Sequence, residues 1–296
     1  MGPDRRPGIM PSLHGHHDTM NNRRIPKIAL RDAEKTFRSA SGQPQTALSR
    51  GNLDVNEGEF VCLVGPSGCG KSTVINLMAG FEQPTGGSVT IDGKPVTEPD
   101  PDHIMLFQDY GLFPWKSALD NVLFGLKCRG VKDREAKQKA LAALDTVGLG
   151  THAHRHPHEL SGGMRQRVSL ARALAVEPSV LFMDEPFAAL DAFTKLRLQD
   201  ELLELRSKRD LTVVFVTHDL DEAIYLGDRV VLMAPDPGRF VNIMKIELDS
   251  PRSRTDERFE QYRKELYEAF DLVHRQSARI GSSMVGKEVL EGGSGI

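Results

Sequence analysis

Cysteine is scarce. The 296 residues carry three, Cys62, Cys69 and Cys128, in no metal or disulfide pattern. A disulfide framework is excluded as a source of stability, and free thiols suit a reducing cytosol. Long apolar runs are missing as well. None approaches the roughly 20 residues a helix needs to cross a bilayer, so any role at a membrane has to be shared with other subunits. Charge of one sign is also lacking: 38 Lys and Arg stand against 41 Asp and Glu, a net of −3 with a pI near 6.4. That balance argues against the basic footprint of a nucleic-acid binder. Aromatics reach only 6%, Trp115 is the single tryptophan, and no internal repeat is present. What remains is the composition of a soluble globular chain, 39% hydrophobic and 27% charged, with material for one large or two small domains.

The run Gly65, Pro66, Ser67, Gly68, Cys69, Gly70, Lys71, Ser72, Thr73 fits G-x-x-x-x-G-K-[ST] without departure. An apolar strand over residues 59–64 precedes it, and Val74, Ile75, Leu77 and Met78 continue it as a buried helix face. In such a loop successive backbone N–H groups curl around phosphate oxygens, and the helix presents its positive dipole end to the same anion. Lys71 adds a charge on the β- and γ-phosphates, and the Ser72 hydroxyl is placed to ligate Mg²⁺. Alkylation of Cys69 is therefore expected to block nucleotide binding, provided that the thiol can be reached.

Residues 180–183 are unbroken apolar sequence, as in a central parallel strand covered on both faces. Two carboxylates at its end, Asp184 and Glu185, are costly unless they serve a cation or a reaction. Asp184 is expected to hold Mg²⁺ through a water, and Glu185 to polarise the water that attacks the γ-phosphate, both beside the phosphate loop. A further apolar strand over 212–216 ends in Thr217, His218 and Asp219, at the strand edge where open α/β sheets bind ligands. A lone histidine there is more often structural. In this company His218 reads as a γ-phosphate contact bonded to Glu185.

Ser161, Gly162 and Gly163 precede a helix expected over 165–176, with Val168, Ala171, Leu174 and Ala175 as its buried stripe. The glycines leave its first N–H groups unobstructed, making a second anion-binding helix end. One nucleotide already has its own phosphate loop, so the simplest use for a second is the γ-phosphate of a nucleotide held by another subunit. A Ser-capped helix with a flexible entry is the plain alternative.

With these motifs in order, the chain resembles the ATP-binding subunits of ABC transporters over residues 28–254. In family terms 65–73 is Walker A, Gln108 the Q-loop, 160–164 the signature and 180–185 Walker B. Ala189, Leu190 and Asp191 form the D-loop, and His218 is the switch histidine. Met164 stands where many members have Gln, and Ala188 replaces a frequent Gly; neither removes a phosphate ligand. The resemblance implies an α/β fold: a P-loop NTPase, RecA-like core with an N-terminal antiparallel β subdomain and an inserted α-helical subdomain. It also implies ATP and Mg²⁺ as cofactors, Gln108 as a metal and catalytic contact, and Phe37 stacking on adenine. In Lys35-Thr36-Phe37 that ring is equally compatible with a core position.

The implied partners are a second copy closing on two ATP with Ser161, Gly162 and Gly163 acting in trans, two transmembrane permease subunits and a periplasmic substrate-binding protein. The implied place is the cytoplasmic face of the inner membrane, without nucleic acid. Phe107-Gln108, Leu112-Phe113-Pro114-Trp115, Met164 and Pro251-Arg252-Ser253-Arg254 resemble the branch serving nitrate, taurine and aliphatic sulfonate importers, with a sulfonate or taurine expected first and nitrate second. Two readings stand for Phe113 and Trp115: core of a small helical subdomain, or a surface for a membrane partner. A soluble ABC-type ATPase acting on nucleic acid or ribosomes is the other class. It usually carries a long coiled-coil insertion or two fused halves, and neither is here.

The chain divides by composition. Residues 1–24 form an expected disordered leader with no apolar h-region, including His14, His16 and His17 and an alternative start at Met20. The ATPase domain is expected over 25–254, with its helical subdomain near 109–160, where Asp133 is expected to cap a helix over 134–147. A C-terminal amphipathic helix region, 255–290, is expected to be capped by Thr255 and to dock Phe259, Tyr262, Leu266, Phe270 and Val273 on its own domain. Residues 291–296 are expected to form a disordered tail.

Overall fold

A computed structural model describes residues 25–39, 41–107, 110–207 and 210–291, with side chains as far as residue 275. The leader with Met20 and its histidines, Gln108, and residues 292–296 lie outside the described residues. Two sheets organise the rest. Strands β1 (Ile28–Arg38), β2 (Pro44–Val55), β4 (Gly86–Ile91) and β5 (Lys94–Pro95) form an antiparallel sheet in the order β2-β1-β4-β5. Asp92 and Gly93, both at positive φ, make the two-residue turn from β4 to β5.

The second sheet has the order β10-β9-β3-β8-β7-β6. It is built from β3 (Phe60–Val64), β6 (His103–Leu106), β7 (Val180–Asp184), β8 (Thr212–Val216), β9 (Arg229–Ala234) and β10 (Arg239–Lys245). All its pairs are parallel except β9 with β10. The unbroken apolar strands follow from burial on both faces. Phe60, Cys62 and Val64 of β3 face one core cluster, Val61 and Leu63 the other, and β7 to β9 alternate in the same way.

Helix α1 (Lys71–Ala79) and the antiparallel sheet cover one face. Helices α2 (Ala118–Cys128), α3 (Asp133–Thr146) and α4 (Gly162–Ala175) pack together as a helical unit on the other. They share that face with α5 (Ala192–Ser207), α6 (Leu220–Leu226) and α7 (Glu257–Glu291), whose Phe259, Leu266 and Val273 enter the core.

Local details depart from the sequence expectations. Strand β8 lies between β3 and β7, so the carboxylate pair is one strand removed from the phosphate-loop strand rather than next to it. Helix α4 starts at Gly162, because the Ser161 hydroxyl accepts from the Met164 N–H at 3.2 Å and so caps the glycines into the first turn. Its Leu174 is only half-buried. Asp133 sits inside the first turn of α3, after Lys132 as the flanking residue, and favours the helix through its dipole instead of a cap bond. For α7, Asp256 rather than Thr255 supplies the cap, accepting from the Arg258 N–H at 2.8 Å.

Candidate active site

The phosphate loop joins β3 to α1 at the carboxyl edge of the parallel sheet. Gly65 and Gly70 have φ of 155° and 95°, and a Cβ on either would come within 2.6 Å of the Met233 carbonyl or 2.5 Å of the Ala47 carbonyl. Only glycine fits such close backbone approaches. Pro66 is half-buried and Ser67 and Gly68 are exposed, which leaves the rim of the loop open to solvent. Lys71 is folded back into it. Its Nζ donates to the carbonyls of Gly65 at 2.8 Å and Pro66 at 3.1 Å, so the cation is held within the loop. Thr73 is half-buried in the first turn of α1.

Cys69 is fully buried, 3.8 Å from the Lys71 Nζ, and burial pushes its thiol above the ordinary range even though the lysine pulls the other way. A reachable thiol is not what the fold provides. The loop protects Cys69 by packing, before any nucleotide is bound.

Asp184 closes β7, with the Ser72 hydroxyl near its carboxylate. Burial raises its pKa, against the pull of Ser72 and Lys71. A carboxylate and a hydroxyl converging next to a lysine suit a hard cation that also takes phosphate oxygens. Glu185 follows with φ of 49°, in the left-handed region, where its N–H donates to the Val216 carbonyl at 3.0 Å. A non-glycine residue there carries strain that the surroundings must hold in place. The strained turn aims its carboxylate at His218, with Oε2 lying 3.3 Å from Nδ1.

His218 is two-thirds exposed, at the mouth of a cavity of about 90 Å³ also lined by Glu185, Lys195, Thr217 and Glu222. Its neighbours are held tightly. The Thr217 hydroxyl donates to Glu222 at 2.5 Å, and Lys195 pairs with Glu222 at 2.6 Å and with Asp219 at 2.7 Å. Burial raises the pKa of Glu222, whereas the bonds from Lys195 and the Glu222 N–H overcome burial and lower that of Asp219.

Three of these groups escaped the sequence reading. Lys195 falls four residues after Asp191 and Glu222 four after His218, spacings that place them on the helices following each motif. Gln166 comes within 3.5 Å of the Glu185 carbonyl while its own Oε1 is buried without a partner. A glutamine on the buried face of the helix, one turn before the buried Ser169, was the available signal.

Ser161 is exposed at the start of α4. Gly162 lies against the Tyr110 hydroxyl, and Gly163 against Leu190 and the Ala189 carbonyl, so the helix end rests on the D-loop behind it. Asp191 in that loop caps α5, accepting from the Thr194 N–H at 3.0 Å. Phe37 is on the surface of β1 with the Lys35 Nζ 4.9 Å from its ring centroid, which removes the core reading. Trp115 is 72% exposed and Phe113 half-buried, joined ring to ring at 5.6 Å, with Phe124 4.7 Å from Phe113. Together Phe113 and Phe124 border a groove of about 430 Å³ that reaches Phe81, Ile104 and Leu106. Trp115 is not core. Among the described residues, no helix is long and apolar enough to cross a membrane.

Comparison with known proteins agrees with this arrangement. The ABC transporter family profile matches residues 48–188. The nitrate import ATP-binding protein NrtD of Synechococcus elongatus is 46% identical over 251 residues, covering 82% of this chain and 90% of that protein. The bicarbonate transport ATP-binding protein CmpD of Synechocystis is 47% identical over 230 residues, covering 77% and 81% respectively. Among solved structures, the dimeric structure of MJ0796, a bacterial ABC transporter cassette, superposes with a TM-score of 0.70 at 34% identity over 74% of this chain and 99% of that one. A post-hydrolysis state of the same cassette bound to ADP and Pi gives 0.69. The chain belongs to the ABC transporter family, as an ATP-binding subunit whose ATPase activity is coupled to transport.

Proposed function

We propose that two copies of this chain close on two ATP molecules at the cytoplasmic face of the membrane and drive a pair of permease subunits that import a small oxyanion. The observation that carries the proposal is the convergence at one sheet edge of Lys71, the Asp184–Ser72 pair and the Glu185–His218 pair. Residues 65–73 cradle the phosphates, and the Lys71 ammonium exchanges its loop carbonyls for β- and γ-phosphate oxygens. Ser72 and Asp184 are the residues that would hold Mg²⁺, with Gln108 as a further contact. When bound, that ion supplies charge neutralisation on the phosphates. Glu185 accepts a proton from the attacking water, and His218 keeps Glu185 and the γ-phosphate in line. Ser161, Gly162 and Gly163 offer their helix end to the nucleotide on the opposite copy, and Phe37 offers a face to adenine.

The exposed Trp115 and the groove beside Phe113 are the proposed seat of a permease segment, since exposed aromatics beside an apolar groove are typical of partner surfaces. Cargo is chosen by the permease and a periplasmic substrate-binding protein. The similarity to nitrate and bicarbonate ATP-binding proteins favours nitrate or bicarbonate over the sulfonate or taurine expected first from sequence.

The test of the site is Glu185→Gln. It should keep ATP binding, lose at least about 10²-fold in turnover, and form an ATP-dependent dimer visible by light scattering. Normal hydrolysis by this variant overturns the role. For the cargo, deletion of the gene should abolish uptake of labelled nitrate or bicarbonate. Unchanged uptake of both, with loss of growth on a sulfonate as sole sulfur source, would return the cargo to the sulfonates.

A further inference from the structure

Helix α6 starts directly after His218 and Asp219, and the chain beyond the core sheet holds it at both ends. Near its amino end Arg263 of α7 forks onto Asp221, with Nε donating to Oδ1 at 2.8 Å. At its carboxyl end Arg252 Nη1 donates to the Tyr225 carbonyl at 2.8 Å and the Gly227 carbonyl at 2.7 Å, while Nη2 meets Asp228 at 3.1 Å. Last-turn carbonyls lack helical partners, and a cation suits that end of the helix dipole. Between these anchors Arg254 lies over the Tyr225 ring, 3.3 Å from its centroid, and donates to the Gln199 Oε1 at 2.6 Å.

Gln199 carries this contact inward. It is buried at 2% exposure, and its Nε2 donates to Glu222 at 3.2 Å. The other Glu222 oxygen accepts from Thr217, the residue before His218. Asp219, the residue after it, caps α6 through the N–H groups of Asp221 and Glu222 and is paired with Lys195. The backbone of His218 is therefore fixed on both sides by groups that lead to α5 and α6, and from there to Arg254 and Arg263. Apolar packing at Gln199 and Glu222 could serve stability as well as this buried polar chain does. What hydrogen bonds add is a fixed direction.

We propose that Arg254 and Arg263 are positioning residues for hydrolysis: the C-terminal segment clamps α6 and, through Thr217 and Asp219, sets His218 against Glu185. The proposal rests on the reading of His218 as a γ-phosphate contact given above. A loosened clamp leaves the phosphate loop and its ATP affinity untouched and slows the chemical step.

Steady-state hydrolysis by the full chain tests it, with Arg254→Met, Arg263→Ala and Arg263→Lys beside His218→Ala as reference. His218→Ala should lose at least about 10²-fold in kcat, and Arg254→Met and Arg263→Ala about tenfold each with KM for ATP within about twofold. Arg263→Lys, which keeps a cation over Asp221, should recover more than the alanine variant. Wild-type kcat in both arginine variants, with His218→Ala inactive, overturns the clamp and leaves the site standing. A parallel loss of kcat and ATP affinity also overturns it, as a general loss of fold would give. Wild-type turnover by His218→Ala overturns the site reading, and the clamp with it.

Discussion

Helices α1 and α4 both open on backbone N–H groups left clear by glycine, yet their surroundings differ. The start of α1 is walled by its own domain: the Met233 and Ala47 carbonyls press on Gly65 and Gly70, Lys71 is buried in the loop, and Asp184 reaches Ser72. The start of α4 has its support on one side only. Leu190 and Ala189 back Gly163, Tyr110 touches Gly162, and Ser161 faces solvent. One helix end has a charged lysine and a carboxylate beside it in the same chain. The other offers its glycine N–H groups, beside the one at Met164 that Ser161 caps, and exposed surface. The contrast teaches that one copy can cradle a nucleotide, while in the proposed dimer the second helix end finds its anion on a partner.

The contrast can be broken most severely at α1. Lys71→Ala should lower hydrolysis by about 10²–10³-fold, the scale for losing one preorganised charge contact in a reacting site. It should cost only about 1–2 kcal/mol of stability for the loop carbonyls left without their donor. A coupled assay and a melting curve on the same sample check both numbers.

At α4 the stability cost is similar and the reason differs. Ser161→Ala removes the cap to the Met164 N–H and should cost about 1 kcal/mol, with ATP affinity of the monomer unchanged. Equilibrium nucleotide binding alongside thermal unfolding separates the two. Weakened binding in the monomer would place α4 in the site of its own chain.

Away from both helices, Trp115→Ala sharpens the comparison by touching neither. An exposed truncation should change stability by no more than about 0.5 kcal/mol, against about 3–5 kcal/mol for a buried aromatic. Basal hydrolysis should persist while transport by the reconstituted complex is lost. Hydrolysis that falls together with the melting temperature would show a packing role.

The smallest effect concerns the thiols. Cys128 is exposed, whereas burial raises the pKa of both Cys62 and Cys69. A raised pKa leaves less thiolate at neutral pH, so an alkylating reagent should label Cys128 first, with ATP making little difference to Cys69. Peptide mass spectrometry with and without ATP reads this directly. Rapid, ATP-protected labelling of Cys69 would contradict its packing.

What could be read from the sequence was local. The phosphate loop, the Asp184–Glu185 pair and His218 each follow an apolar strand, so strand-end position and residue type were enough to mark them as candidates. Order within the sheet was not readable, because β8 follows β7 in the chain yet inserts between β3 and β7. The start of α4 was hidden by Gly162 and Gly163, which have low helix propensity and are drawn into the helix by Ser161. Burial of Cys69 and exposure of Trp115 are decided by the neighbours packed around each. The arginine clamp joins residues up to 55 positions apart, as Arg254 and Gln199 are, and no short pattern announces it.

Mixing two inactive chains tests the shared site most directly. Combine Lys71→Ala protein with Ser161→Arg protein in equal amounts and measure ATP hydrolysis. In a mixed dimer one site carries both lesions and the other is built from an intact phosphate loop and an intact Ser161 end. Random pairing into two-fold dimers should return about a quarter of the wild-type rate. A mixture as inactive as its two components, with mixed dimers present by mass, would contradict completion of the site by a second copy.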